Sequence, residues 1–494
     1  MKQDTSNTAQ AMWIGIGSLF SFLFSIVSAA ILSRFLSKAD YGTYKQVMYV
    51  YTTLLSVFTL GLPLAYSYFL PRVSLAEGKT LVNRLNACFV VLGAVFSAVL
   101  FFGADVIAEI LKNPDLTKQI KIFSPSPMLI LPTMGLQGVL ATYKRTLWNA
   151  IYVILTRIFM LLLVALPVAL IKPSVEIALW GFNISSLVSC VLALVIKNIP
   201  FKGIIGEKCP VSYKEIFIYS IPLMVAGLLG VAISAADQFY VSRYFGQEVF
   251  ADFANGSLEL PFVGMVLSAG GTVLLPVFSR MIKEQVPKRE ILNLWERTAV
   301  KAAYILYPLI IFCIFFAKEI MTFIYGDMYE TSAIYFRIML LANFFTVIQF
   351  YPIILALGKT KEYAFVHILT FFLVWGFEYV AVVYFHTVVY VTIISVLCKI
   401  IKILLMMKIV ADAIGTPIWS LFPVRKLSST FASCLSAGAL VFFIIRLIPL
   451  QFSELPVLII GFTLYAVIVY FLGKIMKVDY LDVIRPLTDK YFKR

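Results

Sequence analysis

Ser33-Arg34-Phe35-Leu36-Ser37-Lys38-Ala39-Asp40-Tyr41-Gly42-Thr43-Tyr44 ends one apolar run and opens the next, and the chain writes this junction twice. At one constant offset Ser33-Arg34-Phe35 falls over Ser242-Arg243-Tyr244, Tyr41-Gly42 over Phe250-Ala251, Tyr44 over Phe253, Gly61 over Gly270 and Phe69 over Phe278. In each copy an apolar helix stops at Ser-Arg-aromatic and a short polar link follows. A second helix then runs back to a basic loop, closed by Arg72 in the first copy and Arg280 in the second. Such a unit reads as a transmembrane hairpin.

The composition names the solvent in which the hairpin sits. The chain is 61% hydrophobic and 14% charged, with a mean hydropathy of +0.93, whereas soluble domains are about 45–50% apolar. It reads as an all-α polytopic membrane protein. The six cysteines (Cys88, Cys190, Cys209, Cys313, Cys398, Cys434) have no paired spacing, and the only histidines are His367 and His386. Neither a disulfide framework, nor a metal site, nor a cofactor is expected.

Expected spans of the first lobe run near 9–33, 46–70, 85–102, 122–140, 150–171 and 176–196. The first of these is longer than the roughly 7–15 residues of a signal-peptide core and belongs to the repeat, so it is read as a permanent helix. A second lobe follows with spans near 216–241, 253–278, 299–316, 334–357, 364–385 and 388–407. Phe101-Phe102-Gly103-Ala104-Asp105 is echoed by Phe315-Phe316-Ala317-Lys318-Glu319 at a slightly larger offset, as a small loop insertion would give. The resulting plan is an N-lobe at 1–196, a linker at 197–213 containing Pro200 and Pro210, and a C-lobe at 214–410. Two extra helices, near 427–448 and 456–476, and a basic tail fill 411–494. Because six is even, the lobes form a parallel repeat, and the whole has about fourteen transmembrane helices. Links after even-numbered helices carry about twice the Lys and Arg of the others, which puts those links and both termini in the cytoplasm. The +15 net charge is thus a collar beside anionic membrane lipid, and no nucleic-acid partner is expected.

No link is long enough to fold into a catalytic domain, so function is sought among charges inside the membrane, each costing about 2.5–3.5 kcal/mol at a helix centre unless paired or wet. Arg157 falls near the middle of the fifth expected helix, Lys301 and Arg337 lie about two turns into the ninth and tenth, and Arg34, Lys45 and Arg243 cluster at the outer ends of the repeated hairpins. For all but Arg157, side chains reaching an interface are an equally simple account. The acids are Asp237, Glu259 and Glu378. Asp252, Asn255 and Glu259 fall on one helical face, and Lys45, Tyr49 and Thr52 form the corresponding stripe in the second helix. A structural ion pair of Asp237 with a first-lobe base is the alternative. Gly61, Pro63, Pro261, Gly264, Gly270 and Gly271, with Pro132, Gly135 and Pro352, interrupt the helices carrying these stripes and are candidate hinges. With no Gly-x-x-x-x-Gly-Lys-Ser/Thr loop, ATP is not the direct fuel, and H+ or Na+ coupling through the three acids is expected.

The phrase Arg34 to Tyr44 resembles the signature ending the first helix in polysaccharide transporters of the multidrug/oligosaccharidyl-lipid/polysaccharide exporter superfamily. Ile324-Tyr325-Gly326-Asp327-Met328-Tyr329, followed by Ser332-Ala333 and Arg337-Ile338-Met339, is similar to the stretch opening the tenth helix there. The resemblance covers about residues 10–410. It implies a non-enzymatic flippase, working beside polymerase or assembly partners, that moves an undecaprenyl-diphosphate-linked oligosaccharide across the bacterial cytoplasmic membrane. The helix count is also similar to the lipid II flippase branch. A diphosphate crossing hydrocarbon needs cations at several depths, which Arg34, Lys45, Arg157, Arg243, Lys301 and Arg337 supply; Tyr41, Tyr44 and Tyr49 are candidates for stacking on sugar rings. Two rivals are a cation-coupled multidrug exporter, which calls for an acidic cavity, and a membrane polymerase or glycosyltransferase, which calls for a sizeable extramembrane loop.

Overall fold

The structure is a computed structural model describing residues 7–347, 350–447 and 453–483. Every regular element among these residues is helical. This follows from the solvent: hydrocarbon offers no hydrogen bonds, so each backbone N–H and C=O has to be paired within its own segment. Contacts divide the chain into two compact units, Met1–Ala251 and Asp252–Arg494.

The first unit holds α1 (Asn7–Phe35), α2 (Lys38–Phe58), α3 (Leu62–Phe69), α4 (Leu75–Ile110), α5 (Asp115–Phe123), α6 (Ser126–Ile130) and α7 (Leu136–Thr142). Then come α8 (Thr146–Met160), a π-helical turn (Leu161–Ala165), α9 (Leu166–Leu170), α10 (Val175–Lys197) and most of α11 (Tyr213–Gly256). The quoted junction is a helix stop and restart. Ser37 leaves the helical region, accepts the Asp40 N–H at 3.1 Å and so caps α2. Its repeat counterpart is Gly246, whose φ of 81° breaks α11 at the matching position. One repeat thus joins its helices through a serine cap and the other through a left-handed glycine. The copies differ at the next landmark: Leu60 and Gly61 both take positive φ and bend the second helix by 46°, whereas α12 continues through Gly270.

Two close approaches fix the first unit. A Cβ on Gly42 would lie 1.9 Å from the Gln247 carbonyl oxygen, so α2 and the C-terminal part of α11 meet backbone to backbone. Beside that crossing Gln46 Nε2 donates to Ser242 Oγ (2.8 Å), and Asn113 Nδ2 donates to Gln46 Oε1 (2.6 Å). The second is a buried cation. The expected helix at 122–140 is broken because Pro125, Pro127 and Pro132 lack N–H groups and because Gly135 takes φ 75°, where a Cβ would strike the Tyr66 ring at 2.1 Å. Lys197, completely buried, fills the gap: Nζ donates to the carbonyls of Pro132 (2.8 Å) and Met134 (2.6 Å) and to Asn86 Oδ1 (2.8 Å).

The second unit holds the end of α11, α12 (Pro261–Lys283), α13 (Lys288–Phe315), α14 (Ala317–Tyr325), α15 (Ser332–Leu341), α16 (Tyr351–Ala356), α17 (Thr360–Val380), α18 (Val388–Ile414), α19 (Val424–Leu447) and α20 (Glu454–Ile475). A second π turn, Ala381–Phe385, extends α17. The two extra helices pack on this unit: Gly438 of α19 faces the Phe315 ring and Gly461 of α20 faces Phe316, both too close to admit a larger residue without a shift. A short helix at Tyr480–Val483 returns to them, with the Tyr480 hydroxyl 2.6 Å from Ser433 Oγ.

Ten helices among the described residues are long and apolar enough to cross a membrane, or eleven if α2 and the stretch to Arg72 form one bent span. Fourteen is therefore more than length and hydropathy alone support. The difference lies in broken segments: 122–140 is divided among α5, α6 and α7, and 334–357 among α15, a 3-10 turn and α16. No fragment alone spans the roughly 30 Å of hydrocarbon. The expected eighth helix starts at Pro261, after a link that ends α11. Residues 448 and 484–494, and with them Lys490, Lys493 and Arg494 of the basic tail, lie outside the described residues.

Replacing Lys197 with methionine removes the donor from the Pro132 and Met134 carbonyls and leaves Asn86 Oδ1 with the Tyr66 hydroxyl alone. The expected result is destabilisation on the order of 3 kcal/mol, read as a lower unfolding temperature of the detergent-solubilised protein, with Lys197→Arg intermediate.

Candidate functional site

The first unit encloses a cavity of about 570 Å³ among α1, α2, α8 and α10, closed on one side by the broken stretch at Ile130 and Thr133. Helical spacing places its polar groups. Tyr41, Lys45 and Thr52 lie on one face of α2, while Thr156, Arg157 and Met160 form the last turn of α8. The π turn begins directly after Met160, and its widened backbone pushes the Leu163 carbonyl against α10. A Cβ on Gly181 would lie 1.8 Å from that oxygen, so only glycine lets α10 close on the widened turn.

Lys45 and Arg157 are half-buried cations in this cavity, and no acidic residue among the described residues lines it. Lys45 Nζ stands 5.2 Å from the centre of the Tyr41 ring. Arg157 Nη1 reaches only the Met160 sulfur, at 3.7 Å. The hydroxyls are mostly committed: Ser25, Thr52, Thr133, Thr156 and Ser186 each donate to a backbone carbonyl of their own segment. They present lone pairs to the cavity, and the charged donors that line it are the Arg157 guanidinium and the Lys45 ammonium.

Tyr44 also lines this cavity, so five of the residues picked from the sequence come together: Tyr41, Tyr44, Lys45, Thr52 and Arg157. The others do not. Tyr49 leaves the stripe, donating its hydroxyl to the Ala235 carbonyl (3.1 Å) with its ring edge-on to Phe250. Arg34 is exposed at the end of α1, and Arg243 donates to the Ile110 carbonyl. In the second unit Lys301 pairs with Asp482 at 3.4 Å, and Arg337 Nε donates to the Ile314 carbonyl at 3.1 Å.

Among the acids, Asp237 is buried in α11 and accepts the Gln238 N–H at 2.8 Å, and Glu378 is completely buried in α17. Glu259 is exposed in the link before α12, off the helix that carries Asp252 and Asn255, because the helix ends at Gly256 and Pro261 starts the next one. Of the hinge candidates, Gly61 sits at the 46° bend and Pro63 in the first turn of α3. Pro261 opens α12, Gly264 has open space around its Cβ position, and the helix runs on through Gly270 and Gly271. Among the described residues no group of three or more His, Cys, Asp or Glu is placed to hold a metal. Lys197, Lys399 and Lys402 were not singled out from the sequence. Their signal, a lysine in or ending an apolar helix, was the one that found Arg157, but Lys197 read as the first linker residue.

Residues 8–282, more than half the chain, match the polysaccharide biosynthesis protein family. The chain belongs to that family. No curated protein sequence matches it. In fold it is similar to the lipid II flippase MurJ in an inward closed conformation, with a TM-score of 0.67 and 17% identity over 93% of this chain and 98% of that one. It is also similar to an inward-facing multidrug resistance MATE family transporter of the MOP superfamily (TM-score 0.62, 13% identity, 82% of this chain and 99% of that one). A third similar structure is a MOP superfamily transporter from Pyrococcus furiosus, described as having a binding pocket of reverse polarity (TM-score 0.55, 13% identity, 82% and 95%). The chain is thus a multi-pass membrane protein with the fold of this exporter superfamily.

If the cavity is wet, a thiol introduced there reacts with a charged reagent. Thr156→Cys, in a background lacking the six native cysteines, is expected to be labelled by a membrane-impermeant methanethiosulfonate at least tenfold faster than a cysteine at Val191 on the exposed face of α10.

Proposed function

We propose that the protein is a flippase that carries an undecaprenyl-diphosphate-linked oligosaccharide, such as an O-antigen, capsule or exopolysaccharide repeat unit, across the bacterial cytoplasmic membrane. The observation that carries this reading is the presence of both Lys45 and Arg157 in one cavity with no carboxylate among the described residues that line it. Two cations held in apolar surroundings are costly while empty and complementary to a diphosphate when filled. The planar guanidinium suits bidentate phosphate recognition and the lysine acts as a point charge. Tyr44 offers its ring to a sugar, whereas Tyr41, expected to do the same, is completely buried with Lys45 Nζ over its ring, and the committed hydroxyls offer acceptors to sugar O–H groups. At about 570 Å³ the cavity is within the roughly 300–1,000 Å³ range of small-molecule sites and suits the diphosphate with its first sugars. A cation exporter would place acids here, so the cavity's charge argues against that rival.

In this proposal the segments 1–196 and 214–410 are the two lobes of a fourteen-helix transporter, rocking about breaks such as Gly61 while the N- and C-termini stay in the cytoplasm. The α13–α20 groove lined by Leu309, Phe462 and Val469 is assigned to the prenyl tail. Buried Asp237 and Glu378 are the candidates for H+ or Na+ coupling, and Glu259 at its exposed site is the weakest of the three. A polymerase or assembly protein takes the product at the outer face. A second reading, a lipid II or other lipid-linked precursor flippase, is favoured by the high coverage of the MurJ fold.

Two measurements test the proposal. In proteoliposomes holding defined lipid-linked oligosaccharides, Arg157→Ala is expected to reduce translocation at least a hundredfold while the protein stays folded and inserted, with partial recovery in Arg157→Lys; full activity of the alanine variant overturns the assignment. Collapsing both the proton and the sodium gradient is expected to abolish net accumulation of flipped substrate, and Asp237→Asn or Glu378→Gln to do the same with gradients intact. Transport indifferent to both gradients would make the protein a passive facilitator.

A further inference from the structure

The second unit holds its own unpaired cations. Lys399 and Lys402 are three residues apart on one face of α18, roughly 17–21 Å from its start and so close to the middle of its 27 residues. Both are half-buried. Lys399 Nζ reaches only the Met339 sulfur of α15, at 3.9 Å, and Lys402 makes no hydrogen bond or ion pair among the described residues. The two charges lie close enough to act on each other, and Lys402 also acts on His367 of α17. The His367 ring is 4.4 Å from that of Tyr363, and its Nδ1 donates to the Tyr363 carbonyl at 3.0 Å, which fixes the ring and makes Nε2 of the neutral imidazole an acceptor, so the donors to an anion are the two lysines. Glu378, the buried acid of α17, lies three turns farther along that helix and acts on Cys398. Like charges one turn apart repel, and hydrocarbon amplifies the repulsion, so the arrangement is one that a bound anion relieves.

We propose that Lys399 and Lys402 form a second anion-binding station, complete within the second unit, for the phosphate groups of a polyprenyl diphosphate. The ligand class rests on the flippase reading, while the station itself rests on the charge arrangement. A substrate head that leaves Lys45 and Arg157 then has a second set of cations to receive it, so its charge is matched at two places along the transport cycle.

The test uses the full chain in phosphatidylcholine nanodiscs, titrated with farnesyl diphosphate, a short-tailed polyprenyl diphosphate. The variant Lys45→Gln/Arg157→Gln removes the first cavity's cations and is expected to retain one saturable binding component. Adding Lys399→Gln/Lys402→Gln is expected to weaken that component at least tenfold, while adding Lys399→Arg/Lys402→Arg keeps it within threefold and guards against loss through misfolding. Unchanged binding in the glutamine form, or no remaining component to weaken, overturns the station. Competition identifies the source: displacement by equimolar phosphatidylglycerol marks a bulk-lipid headgroup site, displacement by equimolar inorganic phosphate marks a free-phosphate site, and either overturns a polyprenyl diphosphate station. If Arg157→Ala leaves export intact while this component persists, the flippase assignment of the first cavity fails and the second-unit site stands.

Discussion

A carbonyl released inside hydrocarbon has to be met by a donor from the protein, and this one requirement shapes the first unit. Three prolines and a left-handed glycine open the helix at 122–140, and Lys197 answers by placing all three ammonium protons on Pro132 O, Met134 O and Asn86 Oδ1. Because the lysine comes from the end of α10 and the asparagine from α4, the repair of one broken segment also ties three helical segments together. The break in turn exposes Ile130 and Thr133 to the space between α1, α2, α8 and α10. Without an interrupted segment there, a straight helix would fill part of the cavity.

The same side-chain chemistry has two outcomes in this protein. Lys197 is saturated by fixed acceptors and holds structure, whereas Lys45 and Arg157 find only a ring face and a thioether and remain able to bind something else. Lys197 is completely buried and the other two are half-buried, but all three sit among apolar helices. What separates them is the supply of acceptors around each nitrogen. The π turn contributes here by widening the helix one turn after Arg157, a local irregularity that Gly181 permits by leaving space for the Leu163 carbonyl.

The repeat is legible in both copies, although the copies solve the same geometric problem differently. Ser37 restarts its helix with a side-chain cap, and Gly246 breaks its helix with a backbone conformation that other residues rarely adopt. At Gly61 the first copy bends and a Cβ would collide with the Ser220 carbonyl, while its counterpart Gly270 lies in a continuous helix. An identical residue at an equivalent position therefore does not carry an identical role; its packing neighbours decide.

Composition and periodicity were sufficient for the all-helical membrane class, for most helix positions and for the duplicated hairpin, because the hydrophobic requirement of a span is written residue by residue. The cost of an intramembrane charge likewise made Arg157 stand out in one dimension, and Lys45 and Tyr41 followed from their place in the repeat. Sequence could not sort the rest. Whether Tyr49 faces a cavity or the Ala235 carbonyl, whether Lys301 is free or paired with Asp482, and whether Lys197 begins a linker or closes a broken helix depend on atoms between about 65 and 190 positions away in the chain. Those contacts exist only once the helices have packed, since a side chain's partners are set by distance in space and its helical face only by distance along the chain.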